Sequence, residues 1–404
     1  APEVNVNEDP GAEEVTVDEN DPEIAVVKEE LENITVLNEE GASVALTEEQ
    51  IQTVLGMFQM YTDQWKANAD ILGVQSPFYL SFNDNGEDGL GVLGEMLTLA
   101  GVSVDDVRTG NYSYDDLCGM IMNFQYGDQY GIQFYGDTIR TKRDAALAAV
   151  ESSGAVTDVQ KLLVLNDWVA QNCTFDMAYI MNQMGDEPVM SASEPVEHPH
   201  YQEVYNGMAE VYRPQIEAQF HDQFYAVVEE QARQSAYQDA IKGIAGQMYQ
   251  AEHPDAAEEE VDAYAEQYLA DNQEAITADA YGFMVTNFGE ETAAAVKGQV
   301  DEALASEETK AQLEAATAQI MDMPMDELGG SSPNQMIPVY VDQAAAGLTQ
   351  GIIGYWGGNQ FGALAEGKAV CMGYAKAYAY LVQCMYPEYY GVNGAGTDLT
   401  VAEN

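Results

Sequence analysis

Positive charge is scarce in this chain. Lys and Arg together number 14 against 69 Asp and Glu, with 4 His, for a net charge of −55 over 404 residues. Nucleic acid is thereby excluded as a partner, because phosphates would be repelled. Anionic membrane surfaces are disfavoured for the same reason. Long apolar runs are also lacking: none approaches the ~20 residues of a membrane helix, so no membrane insertion is expected. Cysteine is rare, with only Cys118, Cys173, Cys371 and Cys384. That number makes no disulfide framework, and no CxxC spacing suggests zinc. Histidine is confined to His198, His200, His221 and His253. The pair His198-Pro199-His200 lacks a third ligand at zinc spacing and reads as a solvated loop. Neither a metal nor a cofactor is expected.

What is present is a 46% hydrophobic composition, enough for two or three folded domains. The acidity favours solubility and attraction to cationic groups such as lysine amines, although salt screens the field beyond about 10 Å. Acidity this strong suggests either a halophile or a secreted bacterial protein, and the secreted or cell-surface reading is preferred. The chain starts at Ala1 with no basic segment leading an apolar one, as expected of a processed N-terminus.

Residues 1–45 read as an acidic leader or linker: sixteen of the first fifty residues are Asp or Glu. Residues 46–154 read as a mostly helical region. Thr47 with Gln50 forms a capping box before a helix to about Ala69. Gln75 to Phe82 looks extended, Asp84 to Gly89 is a turn, and Leu90 to Ala100 is helical. Asp84, Asp88, Gly89 and Glu95 fit a calcium-loop register, but Gly86 stands where an oxygen ligand belongs, so a plain acidic turn is preferred. Ser113 with Asp116 caps a helix to about Asn123, and another covers Asp137 to Val150. Thr157 with Gln160 caps a helix whose Leu162, Leu165, Val169 and Cys173 recur at helical spacing. Pro188, Pro195 and Pro199 mark a loop over 184–200. From Tyr201 to Met323 the Ala, Glu and Gln content predicts several amphipathic helices, interrupted at Pro254 and Gly289. Gly329 to Pro333 is a break, and a helix covers Val339 to Leu348.

The chemistry concentrates in Gly362-Ala-Leu-Ala-Glu-Gly-Lys-Ala-Val-Cys371-Met-Gly-Tyr-Ala375. Cys371 sits between a glycine-containing turn and a helix running to about Met385. A helix N-terminus offers unpaired N–H groups and the positive end of the dipole, both of which favour a thiolate, the nucleophilic form. That helix is apolar on nearly all sides, with only Lys376 and Gln383 strongly polar, so its body should be buried. Tyr389 to Val392 then starts a strand. Cys118, Cys173 and Cys384 read as core residues.

The stretch Phe361 to Leu381 resembles the catalytic segment of bacterial transglutaminase-like proteins, which share a papain-like cysteine-protease core. Lys161 to Asp176 resembles the helix that precedes it. The resemblance implies an α+β fold, predominantly helical in these residues. The transglutaminase-like core would span 155–404, with a helical insertion over about 182–335. It also implies Cys371 as nucleophile, a His base and an Asp that orients it. The reaction would be acyl transfer through a Cys thioester, by transamidation or by amide or peptide hydrolysis, on a protein or peptide substrate. In the family the His and Asp follow the cysteine helix. Here none of the 33 residues after Cys371 is His. The core is therefore expected to be incomplete at its C-terminal side, and this chain inactive alone. The alternative is a non-catalytic cell-surface binding or scaffold protein with a degenerate papain-like fold.

Overall fold

The computed structural model describes residues 16–38, 40–74, 93–94, 96–97, 103–176 and 198–387. The extended reading of 75–82, the turn and calcium register of Asp84 to Glu95, the bulk of the 184–200 loop and the strand after Pro387 lie outside them, as does most of the Leu90 to Ala100 helix. The described residues are predominantly helical and form two compact units. One comprises residues up to 212 together with 342 onward; the other is 213–341.

Structure begins inside the acidic leader. Helix α1 (Pro22–Asn33) starts with Pro22 in its first turn and Asp21 as N-cap, accepting from the Glu23 N–H. Ile24, Val27 and Leu31 put one apolar stripe into the core, fully or almost fully buried. Strands β1 (Thr35–Leu37) and β2 (Ser43–Ala45) then form an antiparallel hairpin with Val36 opposite Val44. The leader's acidic residues hide this stripe from a composition-based reading: three well-spaced aliphatic residues suffice to dock a short helix.

Helix α2 (Glu48–Ala67) carries the expected box, with the Gln50 N–H donating to Thr47 Oγ1 and the Thr47 N–H to Gln50 Oε1. A short α3 (Ala69–Leu72) and α4 (Val104–Thr109) precede α5 (Tyr114–Ser152). Ser113 and Asp116 make the second box at its start. The two expected helices over 114–123 and 137–150 are one continuous helix. Gly127 and Gly131 within it are contact points rather than breaks. A Cβ on Gly127 would run into the Tyr355 ring, and one on Gly131 would lie 2.7 Å from the Phe361 ring. Helix α6 (Asp158–Asn172), boxed by Thr157 and Gln160, ends at strand β3 (Thr174–Phe175).

Helix α7 (Tyr201–Glu252) is followed, past Pro254, by α8 (Glu258–Asp271), α9 (Gln273–Ala278), α10 (Ala280–Phe288), α11 (Glu290–Ala305) and α12 (Glu307–Met321). In the 213–341 unit Ile241, Ile276, Met284 and Ala293 centre an aliphatic and aromatic core. Arg233 ties α7 to α11 by donating to Asp301 Oδ1 at 2.6 Å and to Glu229 Oε1 at 2.8 Å. Gly329 and Gly330 turn the chain, and α13 (Pro333–Gly357) extends well beyond the expected 339–348 at both ends. A single π turn (Phe361–Glu366), strand β4 (Lys368–Ala369) and α14 (Cys371–Met385) close the described chain. Among the described residues no helix is long and apolar enough to cross a membrane.

The glycines of α5 and α7 make opposite predictions. Gly131→Ala should destabilise the protein by roughly 1–3 kcal/mol, because Phe361 must move. Gly243→Ala, whose Cβ would meet nothing within 4 Å, should stabilise it by up to ~1 kcal/mol through helix propensity. Urea denaturation of both variants checks the signs.

Candidate functional site

Cys371 is the first residue of α14, and the segment before it dictates its position. Gly367 adopts φ +69°, a left-handed conformation that closes the π turn and that L side chains adopt only with strain. Strand β4 then pairs in parallel with β3, with Lys368 opposite Thr174 and Ala369 opposite Phe175. The Thr174 N–H donates to the Gly367 carbonyl at 2.8 Å and the Asp176 N–H to that of Ala369 at 3.0 Å. Three tyrosines then fasten α14 to α6 and its ends. Tyr374 donates to the Cys173 carbonyl at 2.5 Å, Tyr378 to that of Leu162 at 3.2 Å, and Tyr386 to Asp158 Oδ1 at 2.6 Å. The two segments singled out in the sequence, 161–176 and 361–381, are thus packed together. Gly373 lets the first turn of α14 fold back on the segment before it, since a Cβ there would lie 2.5 Å from that of Ala369 and 3.0 Å from the Gly357 carbonyl.

The result is a thiol held at a surface by a buried helix. Cys371 is exposed, whereas Ala377, Tyr380, Leu381 and Val382 of the same helix are buried. Val370 caps α14 with extended backbone and no side-chain hydrogen bond, and the first turn holds no acidic residue. The Tyr374 N–H closes onto the Val370 carbonyl, so the preceding amides are left as helix-start donors. Phe175, 45% exposed, sits with its ring 6.4 Å from that of Tyr374. The other cysteines differ. Cys118 and Cys173 are buried, burial raises the Cys173 thiol, and burial pushes Cys384 up to about 12.

His198 and His200, which belong to the same unit, form a network of their own. His198 Nδ1 accepts the His200 backbone N–H at 3.2 Å, so the proton sits on Nε2, which donates to Glu366 Oε1 at 2.9 Å. Tyr135 donates to the same oxygen at 2.6 Å. Burial works against ionisation of Glu366, but the His198 and Tyr135 hydrogen bonds outweigh it and hold the carboxyl below its ordinary range. His200 stacks on Phe134, with centroids 4.0 Å apart, and burial lowers its pKa. The solvated loop expected at His198-Pro199-His200 is therefore packed at both rings: the His198 side chain is only 9% exposed and lies against Trp356. In the 213–341 unit His221 is held by Asp222 and Glu314. Among the described residues none hydrogen-bonds the Cys371 thiol, and no group of three or more His, Cys, Asp or Glu is placed to hold a metal ion.

Sequence reasoning missed a buried carboxyl behind the site. Asp128 has no exposed surface. Tyr61 and Trp65 donate to its Oδ2 at 2.7 and 2.8 Å, and Tyr355 to its Oδ1 at 2.9 Å. Lys376 of α14 lies over the Phe124 and Tyr355 rings, 5.4 and 5.3 Å from their centroids. Burial pushes Asp128 up to about 6 despite the three donors and the Lys376 charge. The signal was present only as Tyr61 and Trp65 one helical turn apart, which reads equally well as an apolar stripe.

No family model matches the chain, and neither the curated proteins nor the solved structures contain a match.

Asp128 gives the site a pH signature. Its folded pKa, about 6, lies above the unfolded value near 3.8, so the folded state holds the proton more tightly. Its contribution is most favourable below pH ~4 and is lost as pH rises through 6. Relative to Asp128→Asn, the wild-type protein should lose roughly 2 kcal/mol of stability between pH 4 and pH 7 and change little above. Urea titrations of the two proteins at pH 4, 5, 6 and 7 measure this difference.

Proposed function

We propose that Cys371 is the nucleophile of a transglutaminase-like acyl-transfer reaction, on a papain-like arrangement of which α14 is the central helix. The observation that carries this reading is the position of the thiol: the exposed cysteine of the four stands at the uncapped, acid-free start of a clamped helix. The thiolate would attack a carboxamide or peptide carbonyl and form a thioester as the amine leaves. A lysine amine or water would then take the acyl group and return the thiol. Helix-start N–H groups, that of Cys371 included, would stabilise the oxyanion. A cationic acceptor suits the charge of −55, and a secreted or cell-surface setting suits it equally. His198 is not placed to act as the base, because both of its ring nitrogens are engaged, one by Glu366 and the other by the His200 backbone N–H.

That commitment favours a second reading, a binding or scaffold protein that keeps the shell without the activity. The two readings separate on the reactivity of the thiol toward an acyl donor. With p-nitrophenyl acetate, whose leaving group needs no acid or base from the protein, the first expects the helix start alone to make Cys371 acetylate faster than N-acetylcysteine at the same pH, with release of p-nitrophenolate and transfer to added lysine ethyl ester, whereas a rate no greater than that of N-acetylcysteine supports the second. Cys371→Ala should lower the burst at least tenfold. Peptide mapping that finds no acyl group on Cys371, or finds it equally on other cysteines, rejects the acyl-transfer reading.

A further inference from the structure

A half-open cleft in the unit built from residues up to 212 and from 342 onward has a composition unlike the rest of the surface. It encloses about 240 Å³ and is lined by Met122 and Asn123 of α5, Tyr212 of α7, and Ala344, Gly347 and Leu348 of α13, with Gln343 at its edge. Among the described residues no Asp, Glu, Lys, Arg or His lines it, in a chain that is 21% charged. An ion entering the cleft would shed water with no counter-charge to meet, which disfavours charged ligands of either sign.

Two further observations point to what would bind. The side-chain oxygen of Asn123 is buried and has no hydrogen-bond partner among the described residues. Such an atom is costly to leave unmet. The oxygen stands against Gly351, and turning it toward the cleft takes rotation about the terminal torsion, which is soft. Gly347 is the second. It lies inside α13, where glycine weakens a helix, yet a Cβ there would meet nothing within 4 Å. Gly351, one turn later, differs: its Cβ would run into the Asn123 amide, so close packing accounts for it. Gly347 shares its open surroundings with Gly354 of the same helix and Gly243 of α7, and at the cleft its missing side chain leaves the wall low.

We propose that this cleft binds a small uncharged molecule bearing a carboxamide. The ligand's N–H and C=O would pair with the Asn123 amide, Gln343 would offer a second amide at the rim, and the apolar remainder would rest against Met122, Tyr212 and Leu348. Met122 and Tyr212 are 1% and 2% exposed, and the Tyr212 hydroxyl lies 4.0 Å from the Met122 sulfur. The proposal is independent of the Cys371 reaction.

The test titrates the full chain, labelled with [¹³C-methyl]methionine, using benzamide, benzoate and benzylamine, three probes of one shape and different charge. The Met122 signal is identified by its loss in Met122→Leu. Benzamide should shift it saturably, with benzoate and benzylamine at least tenfold weaker. Gly347→Phe should weaken benzamide at least tenfold without lowering the melting temperature, while Gly347→Ala should retain binding. Absence of a saturable shift, equal affinity for all three probes, or undiminished binding to Gly347→Phe overturns the proposal. Should Gly347→Phe fail to fold, Asn123→Leu decides: at least tenfold loss for benzamide supports the site, and unchanged affinity overturns it.

Discussion

The unit that carries Cys371 depends on a carboxyl group with no access to water. Asp128 receives hydrogen bonds from Tyr61 and Trp65 of α2 and from Tyr355 of α13, while it stands itself on α5. Burying a carboxylate costs several kcal/mol unless donors and counter-charge replace its hydration. Here the replacement comes from separate helices, so their relative positions are fixed by one group. Lys376 adds the fourth element. Its ammonium rests on the rings of Phe124 and Tyr355, and it lies five residues beyond Cys371 on the same helix. The polar hub and the start of α14 are therefore one construction, not two.

Small residues let that construction close. Gly127 and Gly131 admit the Tyr355 and Phe361 rings against α5, and the Trp356 indole donates to the Gly127 carbonyl at 2.8 Å. Gly362 lies where a Cβ would run into the Trp356 carbonyl. The π turn that follows spends its last residue, Glu366, on Tyr135 and His198. From there the left-handed Gly367 and the β3–β4 pairing deliver the chain to Cys371. The thiol is exposed because the whole approach to it is anchored on the inner side.

Much of this was legible locally. The boxes at Thr47, Ser113 and Thr157 are complete within four residues, and each marks a helix start in the structure. The limits of α14 could be read from Cys371 and Pro387, and its buried body from its apolar circumference. What could not be read depends on distant partners. Whether Gly131 breaks or packs a helix is decided by Phe361, 230 positions away. The His198 ring is taken from solvent by Glu366 and Trp356, which nothing near Pro199 announces. The stripe of Ile24, Val27 and Leu31 was masked by acidic neighbours that simply face water. The cleft at Asn123 has no sequence signal at all, because glycine and alanine at 347 and 344 acquire meaning only beside α5.

The proposed chemistry requires Cys371, at the start of a helix with a buried body, to be the cysteine that solvent reaches. Native-state alkylation by iodoacetamide, read by intact mass and peptide mapping, tests it most directly. The structure predicts a single rapid adduct, on Cys371, with Cys118, Cys173 and Cys384 reacting only after denaturation. Protection of Cys371, or modification of the other three cysteines at a comparable rate, would contradict it.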